Sequence, residues 1–304
     1  MNIIASAKTI DPWAPVLLVL GLIIIATVSA ALLGVFRPRS IAGPQRVGPE
    51  EPLQSLMGIA MVGLMAWLFI AGFLGQIAGG PYPTTTTATS SPSTKADDST
   101  PQPAQIAADV VARLAAVAVM VGLNQTIMRP PAKLGFQIEQ LPGGALRGAV
   151  GFGVVAPLVL LSLMGTEWTL EAFHHTESHI HVMLKMLGES ETPGSRALIL
   201  FSVLIIAPIS EEMFFRGFIQ TILVSLFARF RRDKIGSAAP RWIPVLLTSL
   251  LFALAHPWWS WPPIFVLALC LGYAYERTGN LWAPIAIHAL FNATSVVIYQ
   301  TTAS

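Results

Sequence analysis

Six side chains in the last third of this 304-residue chain have types and spacings suited to hydrolysis. Glu211, Glu212 and Arg216 lie in the stretch EEMFFR, His256 closes FALAH, and His288 and Asn292 bracket HALFN. On a helix, Glu212 and Arg216 are i and i+4 and share a face on which they can pair. Glu211 is turned about 100° from Glu212, into a different space and free of that pairing. His288 and Asn292 repeat the i, i+4 spacing, as do Phe252 and His256, so three helices each offer one polar edge to a shared cavity. A carboxylate there can take a proton from water as general base. Imidazole and amide N–H groups can stabilise a developing oxyanion.

The elements that carry these residues are expected to be membrane helices. Charged residues make up 11% of the chain and 54% is hydrophobic, with a mean hydropathy of +0.65, where a soluble domain carries about 25% charged residues. That composition excludes a water-soluble enzyme and a disordered chain. A net charge of +2, with basic residues in short clusters, argues against nucleic-acid binding. The single cysteine, Cys270, excludes an internal disulfide framework and a cysteine-based zinc site.

A bilayer core about 30 Å thick needs roughly 20 apolar residues of helix. Eight segments answer: Ala14–Phe36, Leu53–Ile77, Ile106–Met128, Ala145–Gly165, Arg196–Phe227, Trp242–His256, Pro262–Tyr275 and Leu281–Tyr299. The expected fold is therefore all-α, a polytopic helical bundle of about eight transmembrane helices. Pro208 inside the fifth segment predicts a bend or break near residues 207–210, because proline removes a backbone donor and clashes one turn back. Counted along straight helices, His288 stands about 10 Å and His256 about 21 Å from their cytoplasmic ends, a poor match in level. The alternating connections hold 12 Lys and Arg on one side and 4 on the other. The positive-inside rule makes the 12-rich side cytoplasmic and puts both termini outside, in a cell-membrane protein. Val28-Ser29-Ala30 resembles a signal-peptide cleavage site, but the span is long for one and cleavage would spoil the alternation.

Residues 81–105, rich in Pro, Thr and Ser, read as a flexible connector. They divide the chain into a two-helix unit (1–80) and a main membrane domain (106–304). Asp97 and Asp98 read as solvated connector charges, and Asp109 with Arg113 as groups near enough to the membrane interface to be solvated. His174, His175, His179 and His181 form a cluster that reads as an amphipathic surface helix, with metal binding as the alternative. Trp258, Trp259 and Trp261 read as an interfacial aromatic belt.

Each candidate has a plainer reading. Glu212 and Arg216 can lock helices together, His288 and Asn292 can form an interhelical hydrogen bond, and His256 beside Pro257 can be a solvated interfacial histidine. Ionisable groups inside hydrocarbon cost at least about 2.5–3.5 kcal/mol each. Their concentration in three short segments favours one common cavity over three separate structural roles.

These three segments, in this order, resemble the motifs EExxxR, FxxxH and HxxxN of the CPBP intramembrane protease family, which includes the type II CAAX prenyl proteases and bacterial Abi-type proteins. The resemblance covers about residues 195–300. It implies an intramembrane endopeptidase in which Glu211 activates water with His256 assisting. His288 and Asn292 would stabilise the oxyanion, and Glu212 with Arg216 would orient structure or substrate. It further implies a protein or peptide substrate reached from the membrane. A metal-free, glutamate-dependent site is the favoured expectation. The alternative is zinc on Glu211, His256 and His288, which leaves a coordination position for water; no HExxH is present to require it. Outside this class, a non-catalytic binding, immunity or sorting protein on the same fold and a proton-coupled transporter are the rival readings.

Overall fold

A computed structural model describes residues 53–77, 103–128, 133–173, 182–190, 192–230 and 239–303, together with Gly21 and Ile24. The first expected span, the His174–His181 cluster, Asp97, Asp98 and most of the 81–105 connector lie outside the described residues. Among those described there are eight helices and no strand: α1 (Leu53–Ile77), α2 (Pro103–Ile127), α3 (Leu141–Ala172), α4 (Val182–Glu189), α5 (193–230), α6 (Ala239–Leu254), α7 (Trp261–Thr278) and α8 (Trp282–Ala303). Five of them, α1, α2, α3, α5 and α8, are long and apolar enough to cross a membrane, and α6 is a shorter apolar helix. The chain is thus a multi-pass helical membrane protein. Its exposed large side chains, among them Phe69, Leu146, Leu250 and Val297, are what lipid tails would cover.

The helices share three buried clusters. Leu56 and Ile59 of α1 join Met120 of α2, Met213 and Phe218 of α5, and Tyr275 of α7. Ile106 of α2 meets Met186 and Leu187 of α4, Ile199 of α5 and Val296 of α8. Val155 and Val159 of α3 meet Leu267 and Leu271 of α7 and Ile287 of α8. The first two clusters clamp α5 between α1 and α2 on one side and α7 and α8 on the other. That places the acidic stretch of α5 at the centre of the bundle.

The close approach of α3 to α8 rests on small residues four apart. A methyl group on Gly148 would stand 2.5 Å from the Ala283 carbonyl oxygen and 2.7 Å from Ala286 Cβ; one on Gly144 would stand 2.6 Å from Trp282 Cβ. Small-xxx-small pairs let helix backbones come together where lipid offers no hydrophobic drive. Gly148→Leu is therefore expected to force α3 off α8 and lower stability by about 1–3 kcal/mol, read as a fall in melting temperature in detergent. The turn from α7 to α8 is fixed by Gly279, whose left-handed φ of 62° ends α7 with its N–H on the Tyr275 carbonyl. Segment 133–140 is tied to this turn: Tyr275 Oη donates to Leu134 O at 3.0 Å and Leu281 N–H to Gly135 O at 2.9 Å.

Pro208 does not break α5. The helix runs on, widened to i→i+5 turns over Ser202–Ile206 and again over Met213–Gln220, so the turn before the proline makes room for its ring. In that register the N–H missing from Pro208 would have met the carbonyl of Val203. The side-chain amide of Asn292 on α8 supplies the donor instead, at 2.8 Å. Of the bend or break expected there, the break does not occur: the lost hydrogen bond is replaced from a neighbouring helix, and the helix stays continuous.

Candidate active site

The two wide turns of α5 bracket Ala207–Glu212, the stretch that presents the paired carboxylates. Wide turns of this kind occur often at functional sites. Glu212 and Arg216 are both fully buried, at 0% side-chain exposure, and pair at 2.9 Å. The same Glu212 oxygen, Oε1, accepts from His288 Nδ1 of α8 at 3.0 Å. Arg216 also donates through Nη2 to the Ala268 carbonyl of α7 at 3.2 Å, and its guanidinium lies 4.4 Å from the centre of the Phe252 ring. The pairing expected from spacing is present, and it does more than join two groups on one helix: it links α5, α6, α7 and α8.

Because a carboxylate without a proton can only accept, His288 carries its hydrogen on Nδ1 and turns Nε2 away from Glu212. That nitrogen stands 3.9 Å from Oε2 of Glu211. His256 lies just beyond the end of α6. Its Nδ1 donates to the Phe252 carbonyl at 2.7 Å, and its own carbonyl accepts from Trp261 Nε1 at 2.8 Å. Both imidazoles rest against the Phe252 ring, with centroids at 4.8 Å for His256 and 5.8 Å for His288. Whatever their levels along straight helices, both rings reach the same aromatic side chain. Phe252 is the hub that the sequence names only by its spacing.

The structure brings Glu211, Glu212, Arg216 and His288 into one polar cluster, with His256 joined to it through Phe252. Asn292 lies one turn further along α8 than His288, with an amide hydrogen on Val203.

Asp109 and Arg113 correct the sequence expectation. They read as interfacial groups when the helix is started at Ile106, but α2 starts at Pro103. Arg113 then lies about 15 Å along it, close to mid-membrane, and Asp109 is only 7% exposed. Arg113 Nη1 pairs with Glu211 Oε1 at 3.1 Å and donates to Ser210 Oγ at 3.2 Å. Its Nε pairs with Asp109 at 2.7 Å. Glu211 is thus free of Arg216, as expected, but held by a guanidinium from another helix. The signal was in the sequence: Asp109 and Arg113 have the same i, i+4 spacing as Glu212 and Arg216.

Zinc would make definite demands on this donor set. In its favour, both imidazoles hand their Nδ1 hydrogen to an oxygen, as metal-bound histidines do. Against it, Glu211 Oε2 and His288 Nε2 are 3.9 Å apart, wider than the about 3.3 Å between two tetrahedral ligands at ordinary zinc distances. A cation would also compete with the Arg113 guanidinium for Glu211. Among the described residues no three His, Cys, Asp or Glu side chains stand close enough together to hold a metal ion. As placed, these donors do not fit zinc.

Comparison with known proteins falls on the same stretch. Residues 193–294 match the family described as type II CAAX prenyl endopeptidase, Rce1-like. All six candidate residues lie in the Rce1-like segment, and Arg113, Asp109 and Trp67 lie outside it. An uncharacterized 24.3 kDa protein of Escherichia coli is 28% identical over 110 residues, 35% of this chain and 46% of that protein. UPF0177 protein YxdF of Lactococcus lactis subsp. lactis (strain IL1403) is 28% identical over 102 residues, 32% of this chain and 49% of that protein. The chain thus spans about half the length of the curated relatives it matches. No solved structure matches it.

Proposed function

We propose that this protein is an intramembrane endopeptidase in which Glu211 activates a water molecule inside the helical bundle. The observation that carries the reading is the facing pair of Glu211 Oε2 and His288 Nε2, 3.9 Å apart. A neutral His288 and an ionised Glu211 are both hydrogen-bond acceptors at these atoms. Two acceptors facing each other across that gap need a shared donor, and one water can reach both at about 2.8 Å. Glu212 holds the histidine in the required tautomer.

In the reaction, Glu211 takes a proton from the water as its oxygen attacks the carbonyl carbon of the scissile peptide. The tetrahedral oxyanion is stabilised by N–H donors: the second amide hydrogen of Asn292, or an imidazole in its protonated form. The proton on Glu211 then passes to the departing nitrogen as the C–N bond breaks, which regenerates the carboxylate. His256 stands at the edge of this cluster, its Nε2 in no hydrogen bond among the described residues, suited to assist the water or the oxyanion. On the positive-inside rule the 12-rich side would be cytoplasmic, and a protein or peptide substrate in the membrane would be reached from there.

The test is cleavage of a quenched peptide library by the full chain in detergent. Wild-type protein should cleave, and Glu211→Ala and His288→Ala should not. Equal cleavage by all three removes the reading, whereas cellular function retained by alanine variants at Glu211, His256, His288 and Asn292 would favour the non-catalytic binding or sorting role. In the same assay, activity is expected to survive titration with a metal chelator. A loss that zinc restores would replace the glutamate-only chemistry with a metal-dependent one.

A further inference from the structure

Given Glu211 as the water-activating base, we propose that Arg113 of α2 is a positioning residue for its carboxylate, which makes α1 and α2 part of the working site. The guanidinium is pinned by groups from α1, α2 and α5. Nε is held by Asp109 Oδ2 at 2.7 Å. Trp67 of α1 donates from Nε1 to the other Asp109 oxygen at 3.2 Å, and its indole lies 4.8 Å from the Arg113 guanidinium carbon. Nη1 reaches Ser210 Oγ at 3.2 Å and Glu211 Oε1 at 3.1 Å. Ser210 spends its own hydrogen on the Ala207 carbonyl at 3.1 Å, so its oxygen is left to accept.

The consequence is a choice between the two oxygens of Glu211. With Oε1 bound to Arg113, Oε2 is the oxygen that faces His288. The Glu211 side chain is 21% exposed, and a terminal carboxylate torsion is broad and two-fold. Among the described residues no hydrogen bond other than the one from Arg113 selects one Glu211 oxygen over the other. The arginine's charge is also shared with Asp109, so it orients Glu211 without matching its charge one to one. A planar fork with fixed donors suits that task, and an ammonium does not.

The experiment compares Arg113→Ala and Arg113→Lys with the wild-type full chain in detergent, using a fluorogenic peptide that the wild type cleaves. Arg113→Ala is expected to lower kcat about 100-fold, the scale of a misplacement near 1 Å, with KM little changed. Millimolar guanidinium ion should restore part of that kcat and do nothing for Glu211→Gln, and Arg113→Lys should be intermediate. Wild-type kcat in either variant overturns the proposal. So does a loss that guanidinium leaves untouched while the melting temperature falls, since that marks a brace of the fold alone. Should Arg113→Ala not fold, Arg113→Lys carries the same decision. A double-mutant cycle of Arg113→Lys and Glu211→Ala on melting temperature needs no turnover: non-additive shifts support the pair, and additive ones overturn it. Full cleavage by Glu211→Gln, by contrast, sinks the base assignment itself, and the cycle tells that failure apart from a missing pair.

Discussion

Glu211→Gln is expected to lower kcat for peptide cleavage by about 10²–10⁴-fold, the range that a positioned general base contributes. Glutamine keeps the length and volume of the side chain, and its carbonyl oxygen can still accept from Arg113, so the fold should be retained. What it loses is the ability to take a proton from water. The fall should therefore appear in kcat, with little change in KM or in melting temperature. Glu211→Asp makes a second point on the same curve. It keeps the charge but withdraws it by about 1.5 Å, one carbon–carbon bond, and should give an intermediate rate. Turnover that is unchanged in Glu211→Gln would transfer the base role to another group.

The second large effect is on stability. Arg216→Ala is expected to cost about 3–5 kcal/mol, the scale for removing one partner of a buried ion pair. Both members are at 0% exposure, and Arg216 also serves the Ala268 carbonyl and covers the Phe252 ring. Alanine would leave the Glu212 carboxylate with only His288, take away the second donor to the Ala268 carbonyl, and open a void beside the ring on which both imidazoles rest. Thermal unfolding in detergent should show a large drop, with activity falling as His288 loses its anchor. The combined Glu212→Gln, Arg216→Met variant should melt well above Arg216→Ala, because no unpaired charge is left inside. Should Arg216→Ala melt like the wild type, this pair cannot be the buried joint described above.

How far the site can be read from the chain depends on whether a feature is local. Glu212 and Arg216 pair as their i, i+4 spacing requires, because one turn of helix brings them together whatever surrounds it. Leu53–Ile77 is a helix with the bounds expected for it, since a long apolar run admits few alternatives in lipid. Pro208 shows the limit of the local rule: its cost is real, but Asn292 on another helix meets it. Asp109 and Arg113 show the same limit in reverse. Three residues' error in the start of α2 turned two buried groups into apparent interfacial ones. Phe252 was visible only as a spacing to His256, because an aromatic ring has no chemistry of its own until other helices bring an arginine and a second histidine to it.

The chain by itself determined the all-helical membrane architecture and the short list of ionisable residues, because hydrocarbon admits backbone only as satisfied helix and tolerates few charges. It also determined the pairs that lie one turn apart. Only the packing of α1, α2, α5 and α8 decided that Glu211 is held by Arg113, that His288 joins both glutamates, and that Asn292 serves Val203. Those contacts join residues between 76 and 98 positions apart. No periodicity reaches that far: such distances are fixed by where helices cross, and the crossings by which small and large side chains meet.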